Sequence, residues 1–196
     1  MRRSIKEFVE ACAGALDFAE PVYEFGAFQV DGQEGFADLR PLFPGLDFIG
    51  CDCREGRGVD RVLDLHAIDL ADGTAGSIVC VDTLEHVEFP RRAVAEMRRV
   101  LAPGGVLTIS STMYFPIHEH PHDYWRFTPD GFRSLLGGFE YALVESAGRE
   151  DFPALVVGVG RKGPMPTHEA ARLADAIARW KTRWSTPPLC PAKIPY

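Results

Sequence analysis

No apolar run in this 196-residue sequence approaches the ~20 residues that a bilayer-spanning helix requires, so no membrane segment is expected. No secretion leader is expected either: Met1, Arg2 and Arg3 give a basic start, but Glu7 and Glu10 soon interrupt the apolar residues after it. Cysteines are five, odd in number and scattered, at Cys12, Cys51, Cys53, Cys80 and Cys190, which argues against a disulfide framework. Cys51 and Cys53 lack the second pair that would complete a four-ligand zinc site, so they read as small residues near a strand end. Basic excess is lacking as well. The net charge of −7 repels phosphate backbones, and the one dense basic cluster, Arg91, Arg92, Arg98 and Arg99, reads as a solvated helix face. The expectation is a cytoplasmic protein with no membrane, nucleic-acid or metal partner.

What is present fits one substantial core. Hydrophobic residues make up 46% and charged residues 25% of the chain, the usual balance of a globular domain. The most regular stretch lies in the middle. Ile78, Val79, Cys80 and Val81 form a β-branched apolar run that suits a strand buried on both faces of a parallel sheet. A helix is predicted over 91–101, with Val94, Met97 and Leu101 at helical spacing and Pro103, Gly104 and Gly105 turning the chain into a second strand over 106–109. Such a βαβ unit demands a right-handed crossover, and ligands of such sheets sit beyond the strands' carboxyl ends. Residues 82–86 lie at that edge.

Elsewhere the elements come in order. A first helix is expected over 4–17, capped by Ser4, with Ile5, Phe8, Val9, Cys12 and Leu16 on one face. A strand over 20–26 runs into a glycine turn, a brief helix is read over 36–43, and a strand over 46–52 ends in Asp52. A third strand is read over 59–65. Thr128, Pro129 and Asp130 form a strong helix start, with that helix stopping at Gly137 and Gly138, and two further strands lie over 139–145 and 154–160.

The run of Leu84-Glu85-His86-Val87, then Arg99-Val100-Leu101, then Pro103-Gly104-Gly105 before a strand resembles the class I S-adenosylmethionine-dependent methyltransferases, in particular their large methyltransferase-domain branch. The likeness extends over about 21–161. It implies an α/β fold, a Rossmann-like seven-stranded mixed sheet with helices on both faces and the last strand inserted antiparallel. It also implies S-adenosyl-L-methionine as cofactor, held by Glu24, Gly26, Ala27, Phe28, Asp52, Cys53, Asp64, Leu65, Asp82 and Thr83. Asp52 takes the ribose role, and Asp64 with the Leu65 amide the adenine role, Asp69 being the competitor if the register shifts. Phe28 departs from the family pattern by standing where a second glycine belongs, and a bulky residue there narrows the pocket or redirects the loop.

Past Ser111 the composition changes. Tyr114, Phe115, the alternate His118, His120 and His122, and the run from Asp123 to Thr128 are too rich in aromatic, imidazole and charged groups for a linker. The segment resembles one found in a branch of these methyltransferases and reads as a lid over 112–128, with Tyr114, His118, His122, Tyr124 and Arg126 as substrate-binding candidates. His86, His118, His120, His122 and Asp123 are candidate bases, because histidine titrates near neutrality and a carboxylate can orient it. The sequence does not choose among them. His118-Glu119-His120 with His122 and Asp123 partly imitates the metal motif of metallo-β-lactamase-like hydrolases, but fails at its last two places.

Beyond Pro166, Leu173, Ile177, Trp180 and Trp184 form one apolar stripe, to be packed on the same domain or used in a dimer. The domain reading is therefore 1–163 for the methyltransferase-like unit and 164–196 for a C-terminal helix and proline-rich arm. Function is read as methyl transfer to a small or medium-sized small-molecule acceptor by a monomer or a homodimer. A non-catalytic cofactor-binding module and a metal-dependent hydrolase remain the alternatives.

Overall fold

The computed structural model describes residues 1–118 and 121–185; Glu119, His120, Cys190 and the proline-rich arm lie outside the described residues. Seven strands form one sheet: β1 (Val22–Phe25), β2 (Phe48–Asp52), β3 (Arg61–Val62), β4 (Ala75–Cys80), β5 (Leu101–Thr112), β6 (Tyr141–Gly148) and β7 (Pro153–Arg161). Their order is β3-β2-β1-β4-β5-β7-β6. β1 to β5 are parallel, and β7 is inserted antiparallel between β5 and β6. The order reverses at β1 and β4, so the crevice for a ligand opens above those two strands.

Alternation along the central strands divides the core. Ile78, Cys80, Leu107, Ile109 and Val156 face one way, under α2 (Pro90–Val100) and α3 (Pro129–Leu135). Val79, Val81, Val106, Val157 and Val159 face the other, under α1 (Arg3–Ala15) and α4 (Thr167–Trp184). The stripe on α4 is used within the chain: Leu173, Ile177 and Trp180 are buried, the Trp180 indole donates to Ser4 O at 2.8 Å, and the Trp184 indole donates to Glu7 Oε2 at 3.0 Å. Among the described residues no helix is long and apolar enough to cross a membrane.

Several boundaries differ from the sequence reading, each for a local reason. Ser4 does not cap α1. The cap position is Arg2, and Ser4 sits buried in the first turn, where its carbonyl receives Trp180. The helix expected over 36–43 shrinks to a 3₁₀ turn, Arg40–Leu42, with Pro41 inside it. β3 is only two residues long, because Asp60 is drawn back onto Gly50, whose N–H its carboxylate accepts at 2.8 Å, and residues past Leu63 turn at Asp64. Pro103, Gly104 and Gly105 lie within β5 as a bulge opposite the step from Ala75 to Ser77. There Gly104 donates to Lys162 O at 2.6 Å. The arginine face of α2 is ion-paired rather than merely solvated: Arg99 holds Glu96 and Asp72, each at 2.8 Å, and Arg98 holds Glu140 at 2.9 Å.

The start of α3 matches the sequence reading closely. The Thr128 hydroxyl accepts the Gly131 N–H at 3.1 Å, satisfying one of the helix's orphan donors. Thr128→Ala is expected to lower the unfolding free energy by about 1 kcal/mol, read as a shifted urea midpoint at unchanged slope.

Candidate active site

A cavity of about 540 Å³ opens at the carboxyl edge of β1 to β4, a size usual for small-molecule sites. All ten residues assigned to the cofactor by resemblance line it: Glu24, Gly26, Ala27, Phe28, Asp52, Cys53, Asp64, Leu65, Asp82 and Thr83. The parallel register brings them together. Each of the four strands finishes at the same edge, and each ends in an acid or meets an acid or a glycine within the next two residues.

The loop after β1 is tied across the sheet. Gly26 and Ala27 donate to Cys51 O at 2.8 and 3.0 Å. Gly26 has φ +89°, and a Cβ there would lie 2.0 Å from the Thr83 hydroxyl, so only glycine lets the turn close against the β4 tip. Phe28 does not fill the cavity. Its ring lies 4.0 Å from the Arg54 guanidinium and occupies the space beside Gly56 that a side chain at 56 would need.

Asp52, with a side chain 12% exposed, accepts the Phe28 N–H at 3.3 Å and stands 3.8 Å from Arg54 Nε. Asp64 is at the rim. Its Oδ1 accepts the His66 N–H at 2.8 Å and faces His66 Nδ1 at 2.8 Å, and those bonds hold its carboxyl below the usual range. Asp82 adopts φ +47°, a left-handed conformation costly for a side-chain-bearing residue, and is fixed by its N–H to Ser110 O at 3.2 Å and to Ser110 Oγ at 3.0 Å. Arg2 reaches Asp82 at 3.2 Å and stacks over Phe115 at 5.3 Å, linking the β4 tip to the lid segment.

Two carboxyls are buried. Burial pushes Glu24 up to about 8; Arg40 opposes the shift, while Asp38, Asp52 and Asp60 add to it. Burial likewise pushes Glu85 up to about 8, with the Asp82 charge adding and the Ser111 hydroxyl opposing.

The histidine-rich segment is hung on the turn Leu84–His86. Tyr124 and Trp125 donate backbone N–H groups to Glu85 O at 2.8 and 3.2 Å, and the Trp125 indole donates to Val87 O at 3.0 Å. His86, His118, His122 and Tyr124 line the cavity. Tyr114 and Arg126 do not. Tyr114 packs on Phe152 at 5.0 Å, and Arg126 spends its donors inside the segment, on Asp123 at 2.5 and 2.7 Å, Phe115 O at 3.2 Å and Pro116 O at 3.0 Å. Asp123 is also outside the lining. The Arg126 fork holds its carboxyl far below the usual range, where it cannot take up a proton at neutral pH. His120 falls outside the described residues.

Sequence reasoning misses Arg2 and His66, and it places residues 82–86 at the ligand edge without giving Glu85 a role. Arg2 reads as part of a helix start. Glu85 carries a signal, a charged residue between Leu84 and the buried Val87, since a carboxylate so placed needs a partner.

A family profile described as a methyltransferase domain matches residues 50–109. Over that segment the chain is similar to methyltransferase domains, and its seven-stranded sheet has the fold of solved S-adenosylmethionine-dependent methyltransferases. Among curated proteins it is similar to human thiol S-methyltransferase TMT1B, 42% identical over 59 residues, which is 30% of this chain and 22% of that protein. The chain thus spans about a fifth of the length of the curated relatives it matches. Among solved structures it resembles a Thermotoga maritima S-adenosylmethionine-dependent methyltransferase described as a possible histamine N-methyltransferase. That structure is 20% identical with a TM-score of 0.59, covering 81% of this chain and 89% of that one. An Archaeoglobus fulgidus S-adenosylmethionine-dependent methyltransferase aligns with a TM-score of 0.60 at 14% identity, covering 80% and 94%.

Proposed function

We propose that this chain binds S-adenosylmethionine in the cavity at the sheet's carboxyl edge and methylates a small or medium-sized acceptor, in the cytoplasm. The observation that carries the reading is the convergence of Glu24, Asp52, Asp64 and Asp82, from four successive strand ends, on one cavity of about 540 Å³. When bound, the cofactor supplies a methyl group already activated on a sulfonium.

The chain's own work is then placement. Asp52 would accept the ribose hydroxyls, as acids do at the end of the second strand in dinucleotide-binding folds. Asp64 and the Leu65 backbone would meet the adenine, and Gly26 would let the backbone approach the ligand closely. Glu24, Asp82 and Thr83 would line the remainder. Alignment of the reacting groups is the largest contribution such a site makes, and the lid segment would exclude water. His86, His118 and His122 line the cavity and would assist deprotonation of an oxygen, nitrogen or sulfur acceptor. The stacking of Phe28 on Arg54 supports a usable pocket over a degenerate, non-catalytic one.

Calorimetry of the purified chain with S-adenosylmethionine and S-adenosylhomocysteine tests the reading. Both should bind with one site, and absence of binding to folded protein would overturn it. Asp52→Ala is expected to weaken S-adenosylhomocysteine by about ten- to a hundredfold, the worth of a lost hydrogen bond to a charged group, roughly 1.5–3 kcal/mol. A panel of small thiols and amines is the natural first search for the acceptor, given the descriptions of the human and Thermotoga proteins.

A further inference from the structure

We propose that Glu85, His86 and His118 form a binding site for a divalent transition-metal ion on the wall of the cavity. Their ligand atoms all lie within 4.8 Å of one another. Two imidazoles and one carboxylate are the donor set of catalytic zinc sites and of non-haem iron sites, which keep positions open for a further ligand. Bond lengths of about 2.0–2.1 Å put such donors roughly 3–4 Å apart around an ion, so modest closure of the three side chains completes the site.

The spacing of the histidines along the chain conceals this arrangement. The motif-like run at 118–123 fails on its own order, whereas the geometry draws one histidine from that run and two donors from the turn after β4. The pieces are held together independently of any ion. Glu85 O anchors the backbone of the lid segment, and Asp123 accepts the His118 N–H at 2.9 Å while Arg126 clamps Asp123.

The surroundings have the character of outer-shell support. Glu85 is fully buried; its Oε2 accepts the Ser111 hydroxyl at 2.7 Å, and its buried Oε1 has no hydrogen-bond partner among the described residues. A buried carboxylate oxygen without a donor is costly unless a cation meets it. Each imidazole has its Nδ1 against an acceptor: His86 against His122 O at 2.5 Å, His118 against Pro116 O at 3.2 Å and Asp123 Oδ2 at 3.3 Å. Those contacts restrain both rings, as outer contacts do for metal-ligating histidines. An ion there would bind the acceptor's heteroatom directly. His86 and His118 would then be ligands rather than bases, a refinement that rests on the methyl-transfer reading, although the metal site itself does not.

The test is titration of the full chain, dialysed free of metal, with cobalt(II) followed by visible absorption and with zinc(II) by calorimetry. One equivalent is expected, with the intense d–d bands of a four- or five-coordinate cobalt site. Glu85→Gln and His118→Ala should each weaken zinc by at least about a hundredfold. His168→Ala, in the mostly exposed Asp17, His168 and Glu169 group, should change nothing. Stoichiometric binding undiminished in both Glu85→Gln and His118→Ala, or no binding by the wild type, overturns the proposal. His118 lies on a loop, so His118→Ala keeps the test open if Glu85→Gln does not fold. S-adenosylhomocysteine calorimetry on the same samples separates failure of the metal site from failure of the cofactor pocket.

Discussion

Replacing Gly26 by alanine is expected to lower the unfolding free energy by about 2–5 kcal/mol and to remove measurable affinity for S-adenosylhomocysteine. Two independent costs add. A φ of +89° is unfavourable for any residue with a Cβ, at about 1–2 kcal/mol. The added atom would also lie 2.0 Å from Thr83 Oγ1 and 2.8 Å from its Cγ2, an overpacking of the kind that costs about 1–3 kcal/mol. The relief available is loss of the loop's closure on Cys51 O, which moves Ala27 and Phe28 and so deforms the pocket floor. Gly104→Ala separates the two costs. It has nearly the same φ, +81°, but nothing within 4 Å of a new Cβ, so it should show the backbone cost alone. Thr83→Ala added to Gly26→Ala should recover part of the loss, since it deletes the two nearest atoms and leaves the backbone strain. Equal losses for Gly26→Ala and Gly104→Ala in denaturant titrations would mean that Thr83 does not constrain the turn.

Much of this site is legible in the sequence because the fold puts strand ends together regardless of what joins them. Asp52 and Asp82 announce themselves as acids directly after short strand-like runs, and parallel pairing of β1, β2 and β4 brings them to one edge. Where an element owes its form to distant partners, the sequence is less informative. Val59 to Leu65 has the composition of a strand, yet Asp60 is claimed by Gly50 and Arg40, and only Arg61 and Val62 pair. Pro103, Gly104 and Gly105 signal a turn, but their groups bond to Lys162 and β5 runs through them as a bulge.

The lid segment shows the same limit at the level of function. Arg126 and Asp123 have the right chemistry for substrate recognition and base catalysis, and local composition cannot reveal that they satisfy each other at 2.5 and 2.7 Å. Glu85 is the converse. Its importance comes from a fully buried side chain beside Ser111 and two histidines, none of which is near it in sequence except His86. What the pair Asp123 and Arg126 does is brace the backbone at His118, whose N–H Asp123 accepts at 2.9 Å.

The buried Glu24 sets a pH dependence of stability with a definite sign. Burial raises its pKa in the folded chain from the ordinary 4.5 to about 8, against Arg40 and with the help of Asp38, Asp52 and Asp60. Between those values the folded state holds a proton that the unfolded state has released, so stability must fall as pH rises. The contribution is intact below pH 4.5 and lost above pH 8, at about 1.4 kcal/mol for each pH unit at most and a few kcal/mol in all. Glu85 is shifted in the same direction, so the wild-type slope contains both. The paired Asp60, Asp64 and Asp123, shifted downward, act with the opposite sign at more acid pH. Glu24→Gln keeps the shape and the neutral charge of the protonated side chain. It should therefore match the wild type near pH 4.5 and exceed it by a few kcal/mol near pH 9, flattening the curve between. Urea titrations at half-unit steps from pH 4.5 to 9 measure this directly. Parallel wild-type and Glu24→Gln curves across that range would mean that Glu24 is ionised in the folded chain at neutral pH, with a cation nearer to it than the Arg40 side chain that now pairs with Asp60.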